Sequence, residues 1–268
     1  MVRITQEEMP QIAPLFAGSQ ETMIWSCLQG EMGKAWADRA LHPRCAGVIS
    51  GDFCYLIGDS GIREAEELVQ ALPAEHTSPF LLIIPLSEGW DKRITARYGD
   101  RAEKTERYAL KKEKDAFDRN RLASFVERLP QGYTLRRIDR SLYEAVLREE
   151  WSADLCSQFA SYEMYEEKGL GFAVLHQGKV VCGASSYTVY QGGIEIEIDT
   201  RKDFRRKGLA RACAARLILE CLSRDLYPSW DAANRASLAL AESLGYRFDK
   251  AYATYVVRLA GEQPEARM

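Results

Sequence analysis

The chain has 268 residues, 46% of them hydrophobic, with 36 Lys and Arg against 39 Asp and Glu and a formal net charge of -3. That length accommodates one large or two ordinary domains with a proper core. The slightly acidic balance argues against a general electrostatic attraction to nucleic acid or to an anionic membrane surface. Seven cysteines, odd in number and never spaced C-x-x-C, sit mostly in apolar runs and read as reduced core thiols rather than as a disulfide or metal framework.

His42, His76 and His176 lie far apart without Cys or carboxylate partners at ligand spacing, so no metal site is expected. The N-terminal MVRITQEEMP is polar and acidic, unlike a signal peptide, and no run approaches the roughly 18 apolar residues of a membrane span. The expected location is cytoplasmic.

In chain order, Thr5 to Phe16 reads as a short amphipathic helix, and Ser19 caps a second one carrying Met23, Ile24, Cys27 and Leu28 on one face. Strands are expected around Ala35 to Ala37, Cys45 to Ser50 and Phe53 to Ile57, then a helix from Ile62 to Leu72. The apolar run PFLLIIPL reads as a strand, Ser87 to Tyr98 as a helix, and Tyr108 to Leu110 as a strand. A charged stretch and a helix from Arg119 to Leu129 lead to the break Pro130-Gln131-Gly132. The domain boundary is placed there, giving an N-terminal half of residues 1–128 and a C-terminal half of residues 129–268.

The second half opens with the strand YTLRRID, followed by helices at Ser141 to Leu147 and Ser152 to Lys168, the latter ended by Gly169. Two strands joined by a tight turn at Gln177-Gly178 follow, and Gln191-Gly192-Gly193 turns into IEIEIDT. Leu209 to Leu222 is a long helix, YPSWDA a short strand, Asn234 to Leu244 a further helix, and Tyr246 to Leu259 the final strands. Both halves give the same coarse order of elements. The expected fold class is α/β, a mixed and mostly antiparallel sheet flanked by helices, in two tandem halves.

Chemistry concentrates in Ile194 to Arg211. A strand with alternating carboxylates runs into the turn RRKGLA and a helix start, where unsatisfied N–H groups and the positive end of the helix dipole favour an anion. Arg205, Arg206 and Lys207 add charge, while Gly208 and Ala210 leave space. The corresponding turn of the first half, Gly58-Asp59-Ser60-Gly61, precedes a helix start carrying Glu64, Glu66 and Glu67, which repel a phosphate. The expectation is that only the second half kept the anion site. No Walker A sequence and no dinucleotide G-x-G-x-x-G occur, and Gly183 to Tyr187 lacks the second glycine of a nucleophile elbow.

The strand, the R-x-x-G-x-A turn at Arg205, Gly208 and Ala210, and the later Asn234, Ser237 and Leu244-Gly245-Tyr246 together resemble the Gcn5-related N-acetyltransferase (GNAT) family over roughly residues 133–257. The whole chain further resembles a bacterial subgroup with a long N-terminal half, named for resistance to zwittermicin. The resemblance implies the GNAT fold and an acetyl-CoA-dependent transfer to a primary amine, small molecule or peptide. It places acetyl-CoA in a splay between IEIEIDT and the strand at Pro228 to Asp231. Ile198, Asp199 and Thr200 would align with the pantetheine arm, Arg205, Arg206, Lys207, Gly208, Leu209 and Ala210 would surround the pyrophosphate, Asn234 would reach the pantetheine or the thioester end, and Ser237 would be a further cofactor-binding residue.

An attacking amine must lose a proton, which a carboxylate or a water held by one can take. Glu195, Glu197 and Asp199 share a strand face; Glu197 is the first candidate for the base and Glu195 the second, with Asp231 an acidic neighbour. A solvated strand face is the plainer alternative. Many family members carry a tyrosine seven residues after the Asn, able to protonate the departing thiolate. Here that position is Ala241, so Tyr227, Tyr246, Tyr252, Tyr255 or water must serve. A non-catalytic acyl-CoA-binding sensor or scaffold therefore stands beside the enzyme reading.

Overall fold

The structure, a computed structural model, describes residues 1–71, 74, 76 and 78–259. The chain forms two compact units, Met1–Arg107 with Tyr252–Met268, and Tyr108–Ala251. It passes from the first to the second within one strand and returns within another, so the division falls earlier than the Pro130–Gly132 break.

The first unit contains β1 (Val2–Ile4), α1 (Met9–Ile12), α2 (Thr22–Leu28), β2 (Lys34–Ala37), β3 (Cys45–Ser50), β4 (Phe53–Gly58), α3 (Arg63–Ala71), β5 (Phe80–Pro85) and α4 (Trp90–Tyr98). β1 to β5 lie side by side in that order. They are antiparallel except for the parallel pair β4 and β5. The single helix expected over Thr5 to Phe16 is instead a 3-10 turn at Gln6–Glu8, α1, and a second 3-10 turn at Ala13–Phe16. Pro10 and Pro14 explain the break, because each lacks an N–H and crowds the carbonyl four residues earlier.

The helix expected from Ser87 starts at Trp90. Ser87 Oγ is bonded to both the N–H and the carbonyl of Gly58, and Gly89 sits at φ 85. α3 and α4 bury Leu68, Val69, Trp90, Ile94 and Tyr98 with Trp36, Leu56 and Ile83 in one core. Leu72, the expected end of α3, lies outside the described residues.

β6 (Ala102–Leu110) carries the chain into the second unit, which holds α5 (Arg119–Glu127), β7 (Tyr133–Arg137), α6 (Arg140–Leu147), α7 (Tyr162–Lys168), β8 (Gly171–His176), β9 (Lys179–Tyr190) and β10 (Gly193–Thr200). α8 (Leu209–Ser223), β11 (Tyr227–Ser229), β12 (Asp231–Ala232), α9 (Arg235–Leu244) and the first part of β13 (Phe248–Arg258) complete it. Its main sheet has the order β11-β10-β9-β8-β7. β7 is one edge of that sheet. α5 lies against α8, with Arg119 donating to the Leu222 carbonyl at 3.1 Å and the Arg211 guanidinium 5.4 Å from the Phe125 ring centroid.

The helix expected over Ser152 to Lys168 is interrupted. Ser152 is buried and its hydroxyl donates to the Val146 carbonyl at 2.8 Å, Ala153–Leu155 form a 3-10 turn, and α7 begins only after Ser161. Ser161 Oγ accepts from Met164 N–H and is the N-cap of α7. β8 and β9 are joined at Gln177 and Gly178, both at positive φ, as a two-residue hairpin turn requires. One strand, β13, replaces the several strands expected after Tyr246. The mixed, mostly antiparallel sheets with flanking helices are as expected.

Candidate functional site

β10 and β11 are hydrogen-bonded in parallel only at their start, Gly193 to Glu195 against Tyr227 to Ser229. β11 ends at Ser229, and after Trp230 the chain re-forms as β12 against β6, Asp231 opposite Ala109 and Ala232 opposite Tyr108. β10 meanwhile continues to Thr200 paired with β9. The strands therefore part, and among the described residues no strand pairs the other edge of β10 from Ile196 to Thr200. Such an edge accepts an extended, amide-bearing chain much as it would accept another strand.

At the far end of that edge the backbone is shaped by the basic turn. Arg201 N–H returns to the Val181 carbonyl at 3.0 Å, Lys202–Phe204 form one 3-10 turn, and Arg205 Nε donates to the Thr200 carbonyl at 3.1 Å. Arg206 at φ 62 and Gly208 at φ 78 both take the left-handed conformation, and α8 starts immediately afterwards. Ala212 N–H makes a helical bond to the Gly208 carbonyl at 3.1 Å, so the N–H groups before it point out of the helix start.

Alternating hands of this kind gather N–H groups into an anion-binding concavity. A Cβ built on Gly208 would meet nothing within 4 Å, so the cradle is open at that point. Leu209 is buried and anchors the helix, whereas Arg205, Arg206, Lys207 and Gly208 are exposed and Ala210 half-buried. Lys207 Nζ and the Arg201 guanidinium lie 4.7 and 4.5 Å from the Phe204 ring centroid. The residues present fit a pyrophosphate: donors, positive charge and room converge on one helix start of 15 residues.

The three carboxylates prove unequal. Thr200 pairs with Cys182, and Thr200 Oγ1 and Cys182 Sγ are 3.2 Å apart, on the side where Cys213 of α8 packs. Residues one step away therefore face the opposite side. There Asp199 pairs with Gly183, where a Cβ would strike Leu155, and Glu197 pairs with Ser185, whose Oγ is 2.8 Å from Tyr165 Oη. Register shifts between Glu195 and Ile196, because β9 carries Tyr187 as an extra residue opposite that step.

Glu197 and Asp199 are half-buried, and Glu197 Oε1 accepts from Ile198 N–H at 3.1 Å. Glu195 is only 5% exposed and lies among tyrosines. Burial pushes the Tyr190, Tyr227 and Tyr246 hydroxyls up, Tyr227 to about 12, and the Glu195 charge adds to each shift.

Asn234 is the N-cap of α9, its Oδ1 accepting from Ser237 N–H at 2.9 Å. Ser237 Oγ accepts from Trp230 Nε1 at 3.1 Å, which ties α9 to the point where the strands part. Trp230 was not singled out by sequence; its signal is an aromatic in the middle of the run YPSWDA, at the one residue between β11 and β12. Tyr227 Oη donates to the Lys111 carbonyl and accepts from Glu113 N–H, both at 3.1 Å. Tyr246 Oη donates to the Pro228 carbonyl at 2.5 Å. Tyr252 and Tyr255 belong to the first unit. Ala241 is fully buried in α9.

The first unit has the corresponding strand–turn–helix, arranged differently. β4 and β5 stay paired from Phe53 to Leu56, and Leu86 N–H extends the pairing to the Leu56 carbonyl at 2.8 Å. Its turn is filled by side chains. Trp90 Nε1 donates to the Gly58 carbonyl at 3.2 Å, and Arg93 donates to the carbonyls of Ser60 and Ile62 at 2.8 and 3.3 Å while pairing with Glu66 at 3.2 Å.

Among the described residues no group of three His, Cys, Asp or Glu side chains is placed to hold a metal ion, the seven cysteines are free and buried, and no helix is long and apolar enough to cross a membrane.

Residues 13–255 match the model of the GNAT acetyltransferase family. The chain is 29% identical over 248 residues to the uncharacterized N-acetyltransferase YdfB of Bacillus subtilis (strain 168), covering 87% of this chain and 89% of that one. Its fold is similar to the crystal structure of a GCN5-related N-acetyltransferase-like protein from Streptococcus suis, with a TM-score of 0.88, 44% identity and coverage of 94% and 99% of the two chains. A tandem GNAT protein of the clavulanic acid biosynthesis pathway shares the fold at a TM-score of 0.54 and 14% identity, over 97% of this chain and 94% of that one. A strand pair that parts beside a basic helix start, on a chain matched almost end to end, makes this protein a member of the GNAT acetyltransferase family.

Proposed function

We propose that the second unit transfers an acetyl group from acetyl-CoA to a primary amine. The observation that carries this reading is the parting of β10 from β11 at Trp230, on the edge that leads to the left-handed Arg206 and Gly208 at the start of α8. In this reading the N–H groups of Arg206 to Ala210 hold the pyrophosphate, with Arg205 fixing the turn through Thr200. The backbone of Ile198, Asp199 and Thr200 aligns the pantetheine arm. Bound acetyl-CoA supplies the thioester and a thiolate leaving group.

Glu197, half-buried beside the open edge, takes the proton from the amine directly or through a water, and Glu195 is the second candidate. Asn234, with Oδ1 committed to its cap, has Nδ2 to offer toward the thioester end, while Ser237 holds Trp230 in place. Tyr227 and Tyr246 hydroxyls are tied to backbone carbonyls, so water protonates the thiolate. The acceptor is a small molecule or a peptide amine, and a cytoplasmic setting supplies the acetyl-CoA.

Incubating the protein with acetyl-CoA and a panel of amines, while following free CoA thiol, tests the reading: amine-dependent thiol release is expected. Ala241 and the tied tyrosines favour one other reading, an acyl-CoA-binding sensor or scaffold. Thermal stabilisation by acetyl-CoA with no thiol released by any amine selects it.

A further inference from the structure

The second unit holds a cavity of about 450 Å³, well within the size range of small-molecule sites, between the end of β7 (Arg136 to Asp139) and α7 (Tyr162, Tyr165 and Glu166). Its charged groups are unequally satisfied. Arg136 donates to Asp139 Oδ2 at 2.6 Å, and Asp139 also accepts from Ser141 Oγ at 2.7 Å and Leu142 N–H at 3.0 Å. These bonds, that of Ser141 foremost, hold the Asp139 carboxyl below its ordinary range. Glu166 Oε1 accepts from Tyr162 Oη at 3.0 Å.

The Arg137 guanidinium, by contrast, makes no hydrogen bond or ion pair among the described residues, though its charge reaches the Tyr165 hydroxyl. The cavity thus has one uncommitted guanidinium. Its walls are fixed: Ile138 and Tyr165 are 3% and 2% exposed, Tyr165 Oη is bonded to Ser185 Oγ, and Arg140, itself paired with Glu163, lies 4.4 Å from the Tyr162 ring centroid.

We infer that the cavity between β7 and α7 binds a small monocarboxylate with an apolar or aromatic body, the carboxylate on Arg137 and the body against Ile138, Tyr162 and Tyr165. A planar guanidinium suits a carboxylate through two parallel N–H donors, and tyrosine faces suit a flat apolar body. Asp139 and Glu166 on the same walls set the charge of the ligand. With Arg136 taken up by Asp139, a carboxylate pairs with Arg137 while facing the one remaining charge of Glu166, whereas a phosphate dianion meets twice that repulsion.

Isothermal titration of the full chain with 3-phenylpropanoate, 3-phenylpropan-1-ol and phenyl phosphate tests this, in the presence and absence of saturating CoA. Saturable binding of 3-phenylpropanoate is expected, undisturbed by CoA. Arg137→Gln should weaken it at least about tenfold, as loss of a charge-assisted pair does, and Arg137→Lys should weaken it less. The alcohol and phenyl phosphate should bind at least about tenfold more weakly than the carboxylate. Melting curves establish that both variants fold, as replacement of an exposed side chain allows. No saturable binding of the carboxylate, binding indifferent to Arg137→Gln, competition by CoA, or equal affinity for the alcohol or the phosphate would each overturn the assignment.

Discussion

Gly208 carries two requirements at one position: a φ of 78 that a side chain resists, and empty space where a Cβ would point. Gly208→Val therefore costs about 1–2 kcal/mol in backbone strain and fills the cradle, so affinity for acetyl-CoA should fall by more than about tenfold in a titration. Binding that stays unchanged refutes the cradle. At the strand, Glu197→Gln should lower kcat by about 100-fold or more with the amine that proves to be the acceptor, the lower range for loss of a general base. Glu195→Gln should lower it less, because that carboxyl is enclosed among tyrosines; the opposite order would make Glu195 the base. The turn and the helix cap were legible because both are local: a glycine, a basic pair and an Asn three residues before a Ser define backbone geometry over a few positions. The depth of Glu195 was not. Alternation assigns a face, whereas burial along that face depends on Tyr190 across the hairpin and on Tyr227 and Tyr246, which arrive from later in the chain.

The elements that build the site are held by caps and by buried hydroxyls. Gly169 ends α7 by returning its N–H to the Tyr165 carbonyl at 2.8 Å, and a Cβ there would lie 2.6 Å from the Tyr165 ring and 2.8 Å from that carbonyl. Gly169→Ala should accordingly destabilise the fold by about 1–3 kcal/mol, the range for overpacking, measured by urea unfolding with an unchanged slope. Tyr227 links β11 to Lys111 and Glu113, and burial raises its hydroxyl to about 12. A phenol with a raised folded pKa contributes stability that is intact below its unfolded value near 10 and is lost as pH climbs toward 12. Melting temperature should therefore fall between pH 10 and 12, and less steeply in Tyr227→Phe; parallel curves would remove Tyr227 as the cause. Element type was readable through most of the chain because apolar spacing is strong there. The interrupted helices mark the limit. Pro10 and Pro14 split one of them by local chemistry, whereas the Ser152 hydroxyl turns back to the Val146 carbonyl of the preceding helix and the new helix waits for Ser161.

At the scale of the whole molecule the question is how many acyl-CoA molecules one chain takes. Each unit has a parallel strand pair, a glycine-containing turn and a following helix. In the second the pair parts at Trp230 and the turn presents N–H groups beside Arg206 and Lys207. In the first the pair stays closed through Leu86, and Ser87, Trp90 and Arg93 occupy the groups of the turn. The acidic start of α3 was visible in sequence as an obstacle to phosphate. The closure by Arg93 was not, because that residue lies 33 positions from the carbonyl of Ser60 that it bonds. Opening the first junction would require breaking at least the Leu86, Ser87, Trp90 and Arg93 bonds, each worth about 0.5–1.5 kcal/mol net, for a site whose helix start repels the ligand. Calorimetry with acetyl-CoA should therefore give one site per chain, abolished by Gly208→Val and retained in Arg93→Ala. A stoichiometry of two, or one site surviving Gly208→Val and lost with changes at the Gly58 turn, would reverse the assignment of the two units.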